Sequence, residues 1–205
     1  DLMNQSNPTF DTFIFDLDGT LLDTMPDLIV VTNKTLEHFG KPTHTDAEIL
    51  SYVGDGAQRL IYRAMPEGER ENEEKLERVK ARYIGYYSEE CTKSSRLYDG
   101  ILPLLRTLSD AGVSLGIVTN KPDEQTQIMG PHYFGTLFKY YEGNTDSNPT
   151  KPDKRRVFSA LDALGKTPSE TIFVGDSYVD VQTARNAGIP CIGVAWGFAG
   201  IPGFR

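Results

Sequence analysis

The chain has few of the side chains that bind soft metals or form disulfides. Among its 205 residues are two cysteines and three histidines. Cys91 and Cys191 stand far apart and neither belongs to a Cys-x-x-Cys pair, which argues against a disulfide framework and a cysteine-rich zinc site. Cys191 falls in an apolar run that is typical of a buried strand. The histidines are scattered, so we assign them no catalytic or metal-binding role.

Positive charge and long apolar runs are also scarce. Twenty-one Lys and Arg residues against 29 Asp and Glu residues give a formal net charge of −8, which argues against non-specific binding to nucleic acid or to an anionic membrane surface. No apolar run approaches the roughly 18 residues of a membrane span, and no signal peptide is recognisable. We therefore expect a cytoplasmic protein without nucleic-acid or membrane partners, with a polar tail over residues 1–9. A local cluster or a metal can still attract a small anionic substrate.

The order of the predicted elements indicates the fold class. An apolar run that ends at Phe15 predicts a first strand, and helical spacing follows from Thr24, a candidate N-cap. Strands then alternate with helices in the second half, which implies a parallel sheet with right-handed crossovers. We predict an α/β core that is interrupted by a helical lid. The predicted division assigns residues 1–22 and 95–205 to the core and residues 23–94 to the lid.

Polar clusters fall at four strand ends or helix starts, and in a parallel sheet all four can converge on one edge. Two or three carboxylates without His or Cys suit a hard cation such as Mg²⁺, which takes oxygen ligands. A hydroxyl and one or two lysines beside that cation would cradle phosphate oxygens. The clusters are Asp16/Asp18/Thr20, Thr119/Asn120/Lys121, Lys151 and Asp176/Ser177/Asp180.

These clusters resemble the four motifs of the haloacid dehalogenase-like hydrolase superfamily. The first motif, DLDGTLLDT at residues 16–24, is the most specific. The helical insert after it is similar to the cap of the phosphoglycolate phosphatase and β-phosphoglucomutase-like subfamily. The resemblance implies a Rossmann-like core, a mobile cap that closes over the substrate, and Mg²⁺-dependent hydrolysis of a small phosphorylated metabolite. The leading candidate is 2-phosphoglycolate.

The resemblance also implies a set of catalytic residues. Asp16 would be the nucleophile that forms an aspartyl-phosphate. Asp18 would protonate the leaving alkoxide and then activate the water that hydrolyses the intermediate. Thr119 would hold the transferring phosphoryl group, and Lys151 would neutralise that group and the nucleophile.

The same resemblance implies a metal site and a substrate site. Mg²⁺ would be held by Asp16, the backbone carbonyl of Asp18 and Asp176, with Asp180 as a supporting carboxylate. Substrate selection would lie in the loop at residues 52–57, where two glycines let backbone N–H groups approach a ligand. A simple inter-helix turn and a surface arginine explain the cap residues equally well. The predicted substrate-binding residues are Thr20, Gly54, Asp55, Gly56, Arg59 and Asn120.

Several alternatives remain open. A pyrophosphatase, a sugar-phosphate phosphatase or a β-phosphoglucomutase-like mutase could use the same scaffold, although Gly175 stands where mutases often carry an acidic residue. Asp18 favours phosphoryl chemistry over dehalogenation, since attack on carbon needs no acid for an alkoxide. A phospho-receiver domain predicts no large insert after the first strand, and a non-catalytic binding module should have lost one motif. We expect a monomer or a homodimer.

Overall fold

Seven strands are present among the residues that the structure, a computed structural model, describes. These are residues 9–204, so the tail predicted for residues 1–9 lies outside the described residues except for Thr9. In chain order the strands are β1 (Thr12–Phe15), β2 (Leu22–Asp23), β3 (Arg96–Leu97), β4 (Ser114–Pro122), β5 (Tyr140–Asn144), β6 (Thr171–Gly175) and β7 (Cys191–Gly193).

Five of these strands form a parallel sheet with β1 at its centre. The strand order is β5-β4-β1-β6-β7, and Phe15 pairs with Ile117 of β4 and Val174 of β6. These three residues therefore lie at one level near the carboxyl ends of the central strands, and β4 continues beyond this level to Pro122. All but the last residue of β4 is buried, as expected for a strand covered on both faces of a parallel sheet. The remaining two strands, β2 and β3, form a short antiparallel pair.

Helices cover both faces of the sheet and fill the segment between β2 and β3. Thr45 starts the second helix with a capping box to Glu48, and Asn72 caps the fourth by accepting from the amide of Lys75. None of the described helices combines the length and apolar character that crossing a membrane requires. The helices are α1 (Met25–His38), α2 (Asp46–Tyr52), α3 (Ala57–Ala64), α4 (Glu73–Glu90), α5 (Ile101–Asp110), α6 (Asp123–Phe134), α7 (Arg155–Leu164) and α8 (Tyr178–Ala187).

Alternate side chains of β1 point into two apolar clusters. Ile14 packs into a cluster with residues of α7 and α8, including Val157 and Ala184. Phe15 joins a larger cluster that continues into α1, α3 and α4, where Tyr83 and Tyr87 are buried. The predicted fold class, a parallel α/β core flanked by helices with a helical insert, is confirmed. The insert shares an apolar cluster with one face of the sheet.

The structure differs from the predictions in local details. Thr24 stands at the N-cap position of α1, but its side chain makes no capping bond. Its hydroxyl instead donates to Asp18 Oδ1 at 2.6 Å. The β2–β3 pair was not predicted, since two residues per strand leave no recognisable alternation. Strand β4 runs on to Pro122, through a register irregularity after Val118. Cys191 is only partly buried.

Candidate active site

Three carboxylates meet at the carboxyl ends of the central strands. Asp16 follows β1, Asp176 follows β6, and Asp180 lies in the first turn of α8. One oxygen of each lies within 4.8 Å of the others, and all three residues are buried. The parallel sheet predicted from the sequence brings these residues together because parallel strands end at the same edge.

Lys151 supplies the positive charge inside this group. Its ammonium lies 2.9 Å from Asp16 Oδ1 and 2.7 Å from Asp180 Oδ1. Asn120 fixes the backbone at this lysine, because its side chain accepts from the Lys151 amide at 2.8 Å and donates to the Lys151 carbonyl at 3.3 Å. The lysine is thus held in place from both its backbone and its ammonium.

The carboxylates exceed the positive charge available to them. Burial and the neighbouring Asp180 raise the pKa of Asp16 well above its ordinary value, although Lys151 opposes the shift. Burial and Asp180 also raise the pKa of Asp176. Burial lowers the pKa of Lys151, but Asp16 and Asp180 outweigh it and the net pKa is raised, so the ammonium stays charged. A buried cluster of oxygen donors with a deficit of positive charge fits a hard divalent cation such as Mg²⁺.

Asp180 is also the hub of a hydrogen-bond network. Its Oδ1 accepts from Lys151, while its Oδ2 accepts from the amide of Asp176 at 3.1 Å and from the hydroxyl of Ser177 at 3.1 Å. Both oxygens are therefore engaged by protein groups. This position suits the supporting role predicted for Asp180, since these bonds orient Asp176 and the start of α8.

Asp18 lies beside the carboxylate cluster and is held from two sides. Its Oδ1 accepts from the Thr24 hydroxyl at 2.6 Å and lies 3.0 Å from the ammonium of Lys121. The side chain of Asp18 remains 16% exposed. The side chain of Asp16 is 12% exposed, so both carboxylates reach the cavity. Asp18 differs from Asp16 in its partners, because Lys121 contacts it in place of Lys151.

Thr119 and Asn120 lie in the last part of β4, where its register with β5 is irregular. An irregular register re-aims side chains at a strand end, and Thr119 Oγ1 accepts from the amide of Lys121 at 3.1 Å. Arg156 of α7, which is fully buried, donates to the carbonyl of Thr119 at 2.8 Å and pairs with Glu142 at 2.8 Å. The carbonyl of Pro149, shortly before Lys151, accepts a third bond from Arg156.

A cavity of about 350 Å³ opens above this edge of the sheet. Of the predicted substrate-binding residues, Gly54, Gly56 and Asn120 line it. Residues of all four insert helices or their loops form its far wall. The lining residues include Asp16, Asp18, Leu28, Leu50, Val53, Gly54, Gly56, Ala57, Leu60, Tyr83, Tyr87, Thr119, Asn120, Lys121, Lys151, Asp176, Phe198 and Ala199.

The structure does not bring the other three predicted substrate-binding residues into the cavity. Asp55 turns to Arg63, whose guanidinium lies 2.6 Å from Asp55 Oδ2. Arg59 is exposed and lies beside the ring of Tyr62, 5.8 Å from its centroid. Thr20 is buried and donates to Asp176 Oδ1 at 3.0 Å. These three side chains therefore have protein or solvent partners in place of a ligand.

Residue patterns did not identify several groups around the site. Lys121 stands in a recognised cluster, but nothing in its spacing distinguishes its role from that of a surface lysine. From the sequence alone, helix capping is enough to explain Thr24. Helix packing is enough to explain Tyr87. The burial of Arg156 cannot be predicted from the sequence, because a single arginine in an amphipathic helix is usually exposed.

Comparison with known families identifies the chain. A model of the haloacid dehalogenase-like hydrolases matches residues 13–194. The chain belongs to this family. The hydrolase motifs predicted from the sequence all fall within the matched range.

Individual relatives of this hydrolase carry a narrower description. A phosphoglycolate phosphatase of Agrobacterium fabrum is 36% identical, with 96% of this chain and 85% of the relative covered. One of Mannheimia succiniciproducens is 32% identical over 94% of this chain and 88% of the relative. A crystal structure of a predicted phosphoglycolate phosphatase from Haemophilus somnus 129PT superposes with a TM-score of 0.81 at 31% identity, covering 92% of this chain and 86% of that one. These relatives confirm the prediction of a phosphoric monoester hydrolase.

Proposed function

We propose that this hydrolase is a Mg²⁺-dependent phosphatase that cleaves a small phosphorylated metabolite through an aspartyl-phosphate intermediate. The observation that carries the proposal is the arrangement around Asp16, whose carboxylate is bonded to Lys151 and grouped with Asp176 and Asp180. Asp18 stands two residues further on, at the mouth of the same cavity. The relatives that are named phosphoglycolate phosphatases make 2-phosphoglycolate the first candidate substrate.

The first step would be attack by Asp16 on phosphorus. A carboxylate approaching a phosphate dianion is repelled, so positive charge must lie beside both groups. Lys151 provides it, because its ammonium is bonded to Asp16 and stays protonated. Asp16, Asp176 and the Asp18 carbonyl would hold Mg²⁺, which when bound supplies further charge neutralisation to the phosphoryl oxygens.

Asp18 would carry the proton in both steps. It gives a proton to the leaving alkoxide in the first step and removes one from water in the second. Its contacts with Thr24 and Lys121 hold one carboxylate oxygen in place. Thr119 and Asn120 would bind the transferring phosphoryl group from the other side of Asp16.

We also propose that residues 23–94 act as a cap over the site. The loop at Gly54 approaches the core where Asn120 Nδ2 lies 3.4 Å from the Gly54 carbonyl. Gly56 has φ +90° and ψ 168°, a conformation that only glycine adopts readily. This loop thus meets the core beside the proposed phosphoryl pocket, where movement of the insert would open or close the cavity.

The mutase alternative is disfavoured by the space at Gly175. A Cβ atom added there would collide with the side chain of Asp180. An acidic residue at this position would therefore displace the carboxylate that holds Lys151 and Asp176. The pyrophosphatase and sugar-phosphate phosphatase alternatives place no such group at position 175, and their test is substrate preference.

Steady-state assays against a substrate panel test the proposal. The panel contains 2-phosphoglycolate, pyrophosphate, a nucleoside monophosphate and glucose 1- and 6-phosphates, each with Mg²⁺ or with excess EDTA. We expect the highest kcat/KM for 2-phosphoglycolate and no turnover in EDTA, with recovery when Mg²⁺ is restored. Metal-independent hydrolysis would refute the metal proposal. Preference for a hexose phosphate, or formation of a hexose phosphate isomer, would replace the substrate or the reaction.

A further inference from the structure

Lys121 is a buried cation to which the proposed chemistry gives no contact with the substrate. Its side chain is 1% exposed and lines the cavity. The ammonium lies 3.0 Å from Asp18 Oδ1, donates to the hydroxyl of Tyr87 and sits 4.2 Å from the centroid of the Tyr87 ring. A lysine is costly to bury, so its place in the cavity wall needs a reason beyond packing.

The wall of the cavity beyond Asp18 is mainly apolar. Within the described part of the chain, Lys121 and Lys151 are the two cations that line the cavity. Lys151 is already bonded to Asp16 and Asp180 at the phosphoryl end. Lys121 has one carboxylate partner, Asp18, against the two of Lys151, so a second negative group of a substrate would find its positive partner at Lys121. The apolar lining from the insert comprises Leu28, Ala47, Leu50, Val53, Ala57 and Leu60.

Lys121 also has the capacity to bind such a group. An ammonium has three N–H donors, and Asp18 and Tyr87 account for two of them. Burial and the nearby Asp18 raise the pKa of Tyr87 well above its ordinary value, so the phenol is neutral and does not compensate the lysine charge. Among residues 9–204 the ammonium has no third partner, and a ligand would meet the third donor from the cavity that Lys121 lines.

We propose that Lys121 binds a carboxylate on the alcohol part of the substrate and thereby selects small phosphorylated acids. The inference rests on the proposed function, because it takes Asp18 as the residue next to the ester oxygen. Lys121 contacts that same Asp18 side chain and lines the same cavity, so its ammonium would lie near the alcohol part of a bound substrate. Longer, uncharged polyhydroxy leaving groups would offer the ammonium neutral hydroxyl acceptors, which bind a cation more weakly than a carboxylate does.

Binding without turnover tests this inference separately from catalysis. In the full chain carrying Asp16→Asn, with Mg²⁺ present, calorimetry compares 2-phosphoglycolate with 2-phosphoglycolamide, which replaces the carboxylate by a carboxamide. We expect the carboxylate to bind about ten- to a hundred-fold more tightly, the usual range for a hydrogen bond to a charged group. Adding Lys121→Met should abolish this preference, and Lys121→Arg should retain part of it.

Two control variants separate recognition from general effects. Lys139→Met removes an exposed charge just before β5, at the opposite edge of the sheet, and should keep the full preference. Tyr87→Phe removes a contact of Lys121 but not its charge, so it should also prefer the carboxylate. Folding of each variant is checked by circular dichroism.

Each outcome decides one question. Equal affinity for the two ligands in the Asp16→Asn chain, or an unchanged preference after Lys121→Met, would overturn the assignment of Lys121. If Lys121→Met does not fold, Lys121→Gln takes its place, since it also removes the charge: loss of the preference in that variant supports the assignment, and full retention overturns it. Wild-type protein that fails to hydrolyse 2-phosphoglycolate while the preference holds would refute the proposed function and leave Lys121 as a carboxylate-binding residue.

Discussion

The two sides of the cavity are built in different ways. The core side, formed by Asp16, Lys151, Asp176 and Asp180, consists of buried groups that are bonded to one another and to strand ends. The insert side is a loop, residues 53–56, with apolar helix surfaces, and Asn120 donates to it across 3.4 Å. Strand ends fix the chemistry of the first side, whereas the second side can change shape or composition without disturbing the sheet. We infer that the core side determines the reaction and, through Lys121 of β4, the charge of the substrate, whereas the insert side determines the shape of the space around the substrate.

Asp16→Asn should have the largest effect of any single change. The amide is a poor nucleophile and cannot form the acyl phosphate, so we expect kcat to fall by at least about 10⁴-fold. The fold should persist, because asparagine keeps the shape of the side chain. Steady-state turnover and rapid quench with a labelled substrate measure the loss. Wild type should accumulate or transiently form a phosphoenzyme, and the variant should form none.

If the Asp16→Asn variant kept its activity, Asp16 would not be the nucleophile. The inference that the core side determines the reaction would then also be wrong. The matched control is Asp153→Asn. Asp153 lies outside the cavity, and its partly exposed carboxylate pairs with Arg155. That variant should retain wild-type turnover.

Asp18→Asn should be the next most damaging change. The loss of an acid and base that act in two successive steps is expected to reduce kcat by about 10²- to 10⁴-fold. The effect should be smaller for a substrate with a good leaving group such as p-nitrophenol, because that group departs without a proton. An equal loss for poor and good leaving groups in the first step would contradict the role of Asp18 as the general acid.

Sequence patterns could predict the core side and not the insert side for a physical reason. Asp16, Thr119 and Asp176 follow apolar strands, and parallel strands must end together, so the one-dimensional pattern already implies proximity. Asp55 and Arg59 lie in a turn and on a helix, where the direction of a side chain depends on tertiary packing. In the structure, Asp55 pairs with Arg63, and Arg59 is exposed beside the ring of Tyr62.

The groups missed on the core side show the same limit. Lys121 and Arg156 are buried charges whose partners lie far away in sequence, at Asp18 and Glu142. Local spacing carries no information about such pairs. The family motifs supplied the candidate catalytic residues, but the contacts that hold these residues in place required the structure.

Gly56→Ala tests whether the insert side needs a fixed loop geometry. Gly56 combines a glycine-only conformation with a close approach, since an added Cβ would lie 3.3 Å from the Asn120 carbonyl. We expect kcat/KM to fall about three- to thirty-fold as the loop shifts away from the core. Gly40→Ala is the control, because Gly40 also has positive φ (+64°) but open space around its Cβ position. It should lose stability without losing activity, and equal losses of activity in both variants would mean that loop placement beside Asn120 is unimportant.

The smallest expected effects separate two arginines on α3. Arg63 donates to the Tyr52 carbonyl at 3.0 Å and pairs with Asp55, so it braces the loop from both ends. Arg63→Gln should raise KM by about two- to five-fold with little change in kcat, because only the substrate-contacting wall loosens. Arg59→Gln, one turn earlier, should leave both constants within about two-fold of wild type. If Arg59→Gln instead raised KM more than Arg63→Gln, then Arg59 would reach the substrate in the closed cap, and the insert side would recognise its ligand by a charge that this arrangement directs to solvent.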